Sequence, residues 1–266
     1  MGIVYLHQNE DREGFVRKAF QQFDILRRAA GKYVLLKSNV VSSEPYPTTT
    51  HPATVEACLK LLQGVARKVI VADGPAWDAG DTKYVIEEHD LSKSCEKFGV
   101  PLMDLFVPGT KKVRMRSFEL EISLMAFECD LIISLPVLKV HGICDITGAL
   151  KNHVGFLSVA DKKRLHWGLD VNKVIAELNE VIKPDLYIVD GVQTLVNTNE
   201  VRHGGKTKMM GYMLAGNDPV SLDALGLELL AKVEPRLRSK RLDDVLHLRC
   251  SVDLGIGSPG YEIVEW

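Results

Sequence analysis

The sequence predicts an α/β layered fold with a mainly parallel central sheet, helices on both faces, and an antiparallel arm. Three observations lead there. Short apolar runs such as YVLLK and LIISL have the length and composition of buried strands. Segments of helical period separate them, the repeat that builds parallel strands through crossover helices. One stretch, Lys111–Ser123, departs from this and alternates apolar with charged side chains, as a half-exposed antiparallel pair does.

In chain order, Ile3–Leu6 is a first short strand, and Phe15, Val16, Ala19, Phe20, Phe23 and Leu26 mark one helical face. Tyr33–Lys37 is a buried strand followed by a polar loop from Ser38 to Thr50. Val55, Cys58, Leu59 and Leu62 have the i, i+3, i+4, i+7 spacing of an amphipathic helix. Val69–Ala72 is the next strand and stops at Asp73-Gly74-Pro75. Thr82–Phe98 reads as helix with a break near Asp90, and Leu102–Phe106 as a short strand.

The arm covers residues 107–123. Val113 and Met115 face one way, then the phase changes so that Phe118, Leu120 and Ile122 alternate with Glu119 and Glu121. A bulge or a tight turn at Ser117 accounts for the slip. Leu131–Leu135 resumes the buried pattern. If Asp145–Val154 is helical, Thr147 and Lys151 share a face. Asp170 caps a helix through Ile182, and Leu186–Val189 is a strand ending at Asp190-Gly191. Gly204-Gly205 reads as a hairpin turn or a flexible lid. Met210–Ala215 is a strand, and Asp218-Pro219 start the helix carrying Leu222, Leu225 and Leu229. Without an internal repeat or linker, 1–266 reads as a single α/β domain.

Composition narrows the function classes. The 266 residues carry 33 basic and 35 acidic side chains, so a broad basic surface for nucleic acid is not expected. The longest apolar run, Leu131–Leu138, is interrupted by Ser134 and Pro136 and is too short for a membrane span. The N-terminus turns polar too early for a signal peptide, which leads to the expectation of a cytoplasmic protein. Cys58, Cys95, Cys129, Cys144 and Cys250 form no Cys-x-x-Cys pair, so there is no local iron–sulfur motif and no zinc ribbon. The G-x-S-x-G, Walker, G-x-G-x-x-G and H-E-x-x-H signatures are absent as well.

In a parallel α/β sheet, ligands bind beyond the carboxyl ends of the strands. The residues just after the expected strands are Ser38-Asn39, Asp73-Gly74, Pro136 to His141, Asp190-Gly191 and Gly216-Asn217-Asp218. Thr48-Thr49-Thr50-His51-Pro52 precedes a helix, where hydroxyls and free amides suit an anion, although a cap needs no ligand. The richest stretch is LPVLKVHGICDITGALKNHVGFL, with Lys139, His141, Lys151, Asn152 and three glycines. Asp73 and Asp190 each precede Gly, so tight turns explain them as well as a site does. His166 beside Trp167 closes a pocket or forms a surface pair.

Four stretches together resemble the uncharacterised family catalogued as domain of unknown function 362. They are LLKSNV with TTTHPATVEA; KVIVADGP; SLPVLKVHGICDITGALKNHVGFL; and LYIVDGV through MLAGNDPVSLDALG, spanning Lys32 to about Gly226. The resemblance implies a fold more than a reaction. Members often carry or are fused to a ferredoxin-like iron–sulfur segment, which this chain lacks. It carries over Asn39, His51, Asp73, Lys139, His141, Lys151, Asn152 and Asp190 as site residues.

Three functions follow as expectations. In the leading one, a small anionic metabolite is held in a strand-end crevice by Lys139 and Lys151. Asn39, Thr50, Asp73, Asn152 and Asp190 assist, and His141 or His51 supplies acid/base chemistry. The second is a redox accessory protein that docks a separate ferredoxin. The third is a divalent-metal enzyme using Asp73, Asp190 and a histidine.

Overall fold

The computed structural model describes residues 1–266. The strands are β1 (Gly2–His7), β2 (Tyr33–Lys37), β3 (Lys68–Asp73), β4 (Leu102–Asp104), β5 (Thr110–Arg114), β6 (Glu119–Ser123), β7 (Leu131–Ser134), β8 (Lys139–His141), β9 (Asp145–Thr147), β10 (Leu186–Val196), β11 (Lys206–Gly216) and β12 (Tyr261–Glu265). Eight of them form one sheet in the order β12-β1-β11-β10-β7-β2-β3-β4. Only β11 runs against the others, pairing antiparallel with both β1 and β10. The remaining pairings are parallel. The fold is therefore the expected α/β layer with a mostly parallel sheet.

The helices are α1 (Arg12–Gln22), α2 (Ile25–Ala29), α3 (Pro52–Leu62), α4 (Thr82–Glu87), α5 (Asp90–Glu96), α6 (Met125–Glu128), α7 (Val159–Trp167), α8 (Val171–Val181), α9 (Pro219–Ala231) and α10 (Leu246–Asp253). Period-two alternation along β2 decides which face each residue serves. Val34 and Leu36 pack against Phe15, Val16 and Phe20 of α1 and Val55, Cys58 and Leu62 of α3. Leu35 turns the other way, onto Leu120 and Ile122 of β6 and Val174 and Leu178 of α8. A third core joins Tyr187, Val189 and Leu214 to Leu222, Leu225 and Leu230 of α9 and Leu248 of α10. Helices thus cover both faces.

The arm is the β5–β6 hairpin, closed by the Met115 amide donating to the Phe118 carbonyl at 2.8 Å, at the expected phase slip. Thr82–Phe98 breaks at His89, whose ring accepts from the Leu91 amide and starts α5. Several expectations need correction. β10 does not end at Asp190 but runs on to Val196 through an irregularity between Gly191 and Gln193, and β11 starts at Lys206. Gly204, in the left-handed region at φ 91°, lies in the turn joining these two long strands. Asp145–Val154 is not an α-helix: β8 and β9 form a small hairpin, and Lys151–Phe156 is a 3-10 turn. The glycine-rich approach to Lys151 favours backbone contact over a regular helix.

Candidate functional site

A cavity of about 520 Å³ opens beyond the carboxyl ends of β2 and β3. Its floor carries a buried ion pair. Lys37 ends β2 and Asp73 ends β3, and the register that pairs Lys37 with Ala72 places the ammonium 2.6 Å from the Asp73 carboxylate. Asp73 also accepts from the amides of Gly74, at 2.7 Å, and Val40. Burial pushes the Lys37 ammonium down, and Asp73 opposes that shift. Asn152 accepts from the same ammonium at 3.2 Å and donates to Ser134 Oγ at 2.9 Å. Gly155 presses on the pair so closely that a Cβ there would lie 2.2 Å from Asp73 Oδ1.

Lys139 is fully buried and finds neutral partners only. Its ammonium donates to Asn39 Oδ1 at 3.0 Å and to the Thr48 carbonyl. Burial lowers it to about 7, with Glu200 opposing the shift and Lys151 adding to it. Lys162 of α7 is held similarly, donating to the carbonyls of Gly74 at 2.8 Å and Pro75 at 3.0 Å. It too falls to about 7, through burial first, with Asp73 opposing.

Lys151 lines the same cavity, and its ammonium has no hydrogen-bond or ion-pair partner in the protein. Lys151 is half-buried, and burial lowers its pKa, with Cys144 and Glu200 opposing. Its position is set by α9. The buried Asp223 carboxylate accepts from the amides of Ala149 at 2.6 Å and Leu150 at 3.0 Å, anchoring the backbone just before Lys151. Gly148 allows this approach, since a Cβ there would sit 2.1 Å from Asp223 Oδ1. The TGALKN and DPVSLDALG stretches are therefore two halves of one mount.

His141 Nδ1 accepts from the amides of Ile143 and Cys144, both at 3.1 Å. The neutral ring must therefore carry its proton on Nε2. Burial holds its pKa well below the ordinary value, and Lys151 and Lys139 lower it further. At the rim stand Trp77, His166 and His203. The β10–β11 turn closes over them, with Arg202 donating to Asp78 Oδ1 at 2.9 Å and to the Asp78 carbonyl at 2.8 Å.

Asn39, Asp73, Lys139, His141, Lys151 and Asn152 thus share one cavity, and His51, Thr50 and Asp190 lie outside its lining. The His51 ring caps α3 by accepting from the Ala53 amide at 3.1 Å and packs against Tyr46. That cap uses the amide expected for an anion. Thr50 Oγ donates to the Leu135 carbonyl and accepts from the Asn39 amide, both at 2.7 Å, so it supports the site from behind. Asp190 pairs with Arg12 at 2.7 Å and accepts from Tyr46 at 2.7 Å. With Asp73 committed to Lys37, the two aspartates do not converge, and no group of three His, Cys, Asp or Glu side chains is arranged to hold a metal. That corrects the divalent-metal reading. Sequence reasoning missed Lys37 and Lys162. The first was findable as a charge ending a buried strand; nothing in α7 marked the second.

The family described as domain of unknown function (DUF362) matches residues 34–228, most of the chain, and the chain belongs to it. The thylakoid-associated protein sll1697 of Synechocystis sp. is 28% identical over 210 residues, which cover 75% of this chain and 63% of that protein. The chain therefore spans less than two thirds of that relative. Among solved structures, the lactate racemase apoprotein from Thermoanaerobacterium thermosaccharolyticum superposes with a TM-score of 0.55 at 15% identity, over 88% of this chain and 58% of that one. That likeness is one of fold. No helix of the chain is long and apolar enough to cross a membrane.

Proposed function

Taking the chain as a member of this family of unknown function, we propose that its strand-end cavity binds a small anionic metabolite with Lys151 as the anchor. The observation that carries the reading is the Lys151 ammonium, which faces a cavity without a carboxylate or carbonyl to hold it. A partly buried ammonium without a protein partner is held by no carboxylate or carbonyl, and an anionic ligand supplies the missing partner. Lys139 and Lys162, held only by neutral oxygens, add positive potential around it. His141 presents Nε2–H as a neutral hydrogen-bond donor. With Nδ1 occupied by two amides and the ring neutral, it serves as a hydrogen-bond donor, not as a base.

Thermal melts of the wild type and Lys151→Met, with acetate, lactate, phosphate and sulfate at fixed ionic strength, test this. Methionine keeps the packing of the stem and deletes the charge. Loss of a charged hydrogen bond weakens binding by about 1.5–3 kcal/mol, roughly ten- to hundredfold. Because Lys151 pairs with no internal carboxylate, the variant folds at least as stably as the wild type without ligand. An anion that stabilises both proteins equally would falsify the anchor assignment.

A further inference from the structure

The cavity is far larger than a two- or three-carbon acid requires, and its two ends differ chemically. At the floor lie Lys139, Asp73 and Lys162, all buried at 4% exposure or less. At the mouth, Ile143 is 63% exposed and the half-buried Trp77 offers an indole. Trp77 meets His166 at 5.4 Å between ring centroids and, edge to face, Trp167 at 5.0 Å, with Trp167 itself 71% exposed. Leu165 and Val171 continue the apolar side of the wall. None of the three core clusters contains Trp77 or Trp167, so packing of the fold does not account for them.

We propose that the ligand is an anion bearing a planar aromatic ring, its charged group on Lys151 and its ring against Trp77. This rests on the anion reading above and extends it to a substrate class. A volume of about 520 Å³ lies in the range of cavities that enclose ligands of drug size, roughly 300–1,000 Å³. Aromatic rings gain from offset or edge-to-face contact beyond the area they bury, and a ring already fixed by its neighbours loses little freedom on binding. Trp77 and His166, both lining the cavity, form the wall for that contact, and Trp167 packs on Trp77 outside the lining.

The test is isothermal titration with acetate, 3-phenylpropionate and the uncharged 3-phenylpropan-1-ol, on the wild type, Trp77→Ala, Trp77→Phe and Lys151→Met. The wild type is expected to bind 3-phenylpropionate at least about tenfold more tightly than acetate, equivalent to about 1.4 kcal/mol. Trp77→Ala brings the two acids to similar affinity, Trp77→Phe retains most of the preference, and Lys151→Met weakens both acids together. Circular dichroism melts establish that each variant is folded. If the wild type binds both acids within a factor of two, still dependent on Lys151, the ring subsite is wrong and the anion reading stands. If the alcohol binds as well as the acid and Lys151→Met changes nothing, or neither acid binds, the anion reading fails and this inference falls with it.

Discussion

Replacing Asp223 by Ala tests whether α9 is the mount for Lys151. The carboxylate is fully buried and accepts from two amides, Ala149 and Leu150, which are themselves fully buried. Its removal strands two donors, each costing about 1–3 kcal/mol, so the loss is about 2–6 kcal/mol. Burial also raises the Asp223 pKa to about 7, against the two backbone donors that lower it. A raised carboxyl pKa means that the folded state binds the proton more tightly than the unfolded chain. Stability from this group therefore falls as pH rises from the ordinary carboxylate range towards 7. Between pH 7 and pH 5.5 that contribution grows by 1.5 pH units at about 1.36 kcal/mol each, or about 2 kcal/mol. Asp223→Ala should thus cost about 2 kcal/mol more at pH 5.5 than at pH 8, by urea denaturation at both. Asp223→Asn, with one acceptor and no charge, should be milder at each pH and show the same pH difference, because it too removes the titrating carboxyl. A loss under about 1 kcal/mol at both pH values would refute the mount.

Three further outcomes follow from the same geometry. Lys139 and Lys162 have folded pKa values lowered to about 7, so each is charged below that pH and neutral above it. Anion affinity should be flat below pH 7 and fall by up to about tenfold per unit above it for each group involved, with proton uptake in titrations run in buffers of different ionisation enthalpy. The ligand-free protein, by the same sign, gains stability from these two groups as pH rises through 7. A pH-independent affinity between 6 and 9 would remove them from the site. Arg12→Ala should destabilise by about 3–5 kcal/mol, because it leaves the buried Asp190 without its cation, yet anion affinity of the folded protein should not change. Altered affinity would bring Asp190 back into the site. Gly155→Ala should cost about 1–3 kcal/mol by driving a methyl into the Lys37–Asp73 pair, and an unshifted melting temperature would show that the pair can move aside.

The sheet was legible because its strands are buried on both faces and therefore read as unbroken apolar runs. The continuation of β10 past Asp190 was not, because Asp190-Gly191 has the composition of a turn and its distant partners Arg12 and Tyr46 are what make that aspartate tolerable inside a strand. The same long-range dependence divides the site residues. Lys139, Lys151, His141, Asn39, Asn152 and Asp73 follow strands or sit in the glycine-rich stretch, where the strand-end rule applies directly. His51 and Thr50 stand at a helix start that also suits an anion, but their polar atoms are taken up by the Ala53 amide and by Leu135 and Asn39. Both groups contain polar residues in plausible places, and hydrogen-bond partners separate them, most of which are distant in sequence. Lys162 enters from a helix whose pattern gives no sign that its side chain reaches the Gly74 and Pro75 carbonyls.

The pairing of the lysines explains how a chain with a net charge of −2 keeps positive potential inside the cavity where an anion is proposed. Lys37 is neutralised by Asp73, and the rim carboxylate of Asp78 by Arg202. What remains inside the cavity is Lys139 and Lys162 on neutral oxygens and Lys151 on none. Neutral carbonyl and amide oxygens stabilise an ammonium without cancelling its charge, so positive potential persists where a carboxylate partner would have extinguished it. In a cleft with low-dielectric walls such potential is focused towards the opening. Salt screens buried charges far less than surface ones, so moderate ionic strength should weaken anion binding only slightly if these lysines are the source. A steep salt dependence would instead place the attraction on exposed residues such as Arg202 and His203 at the mouth.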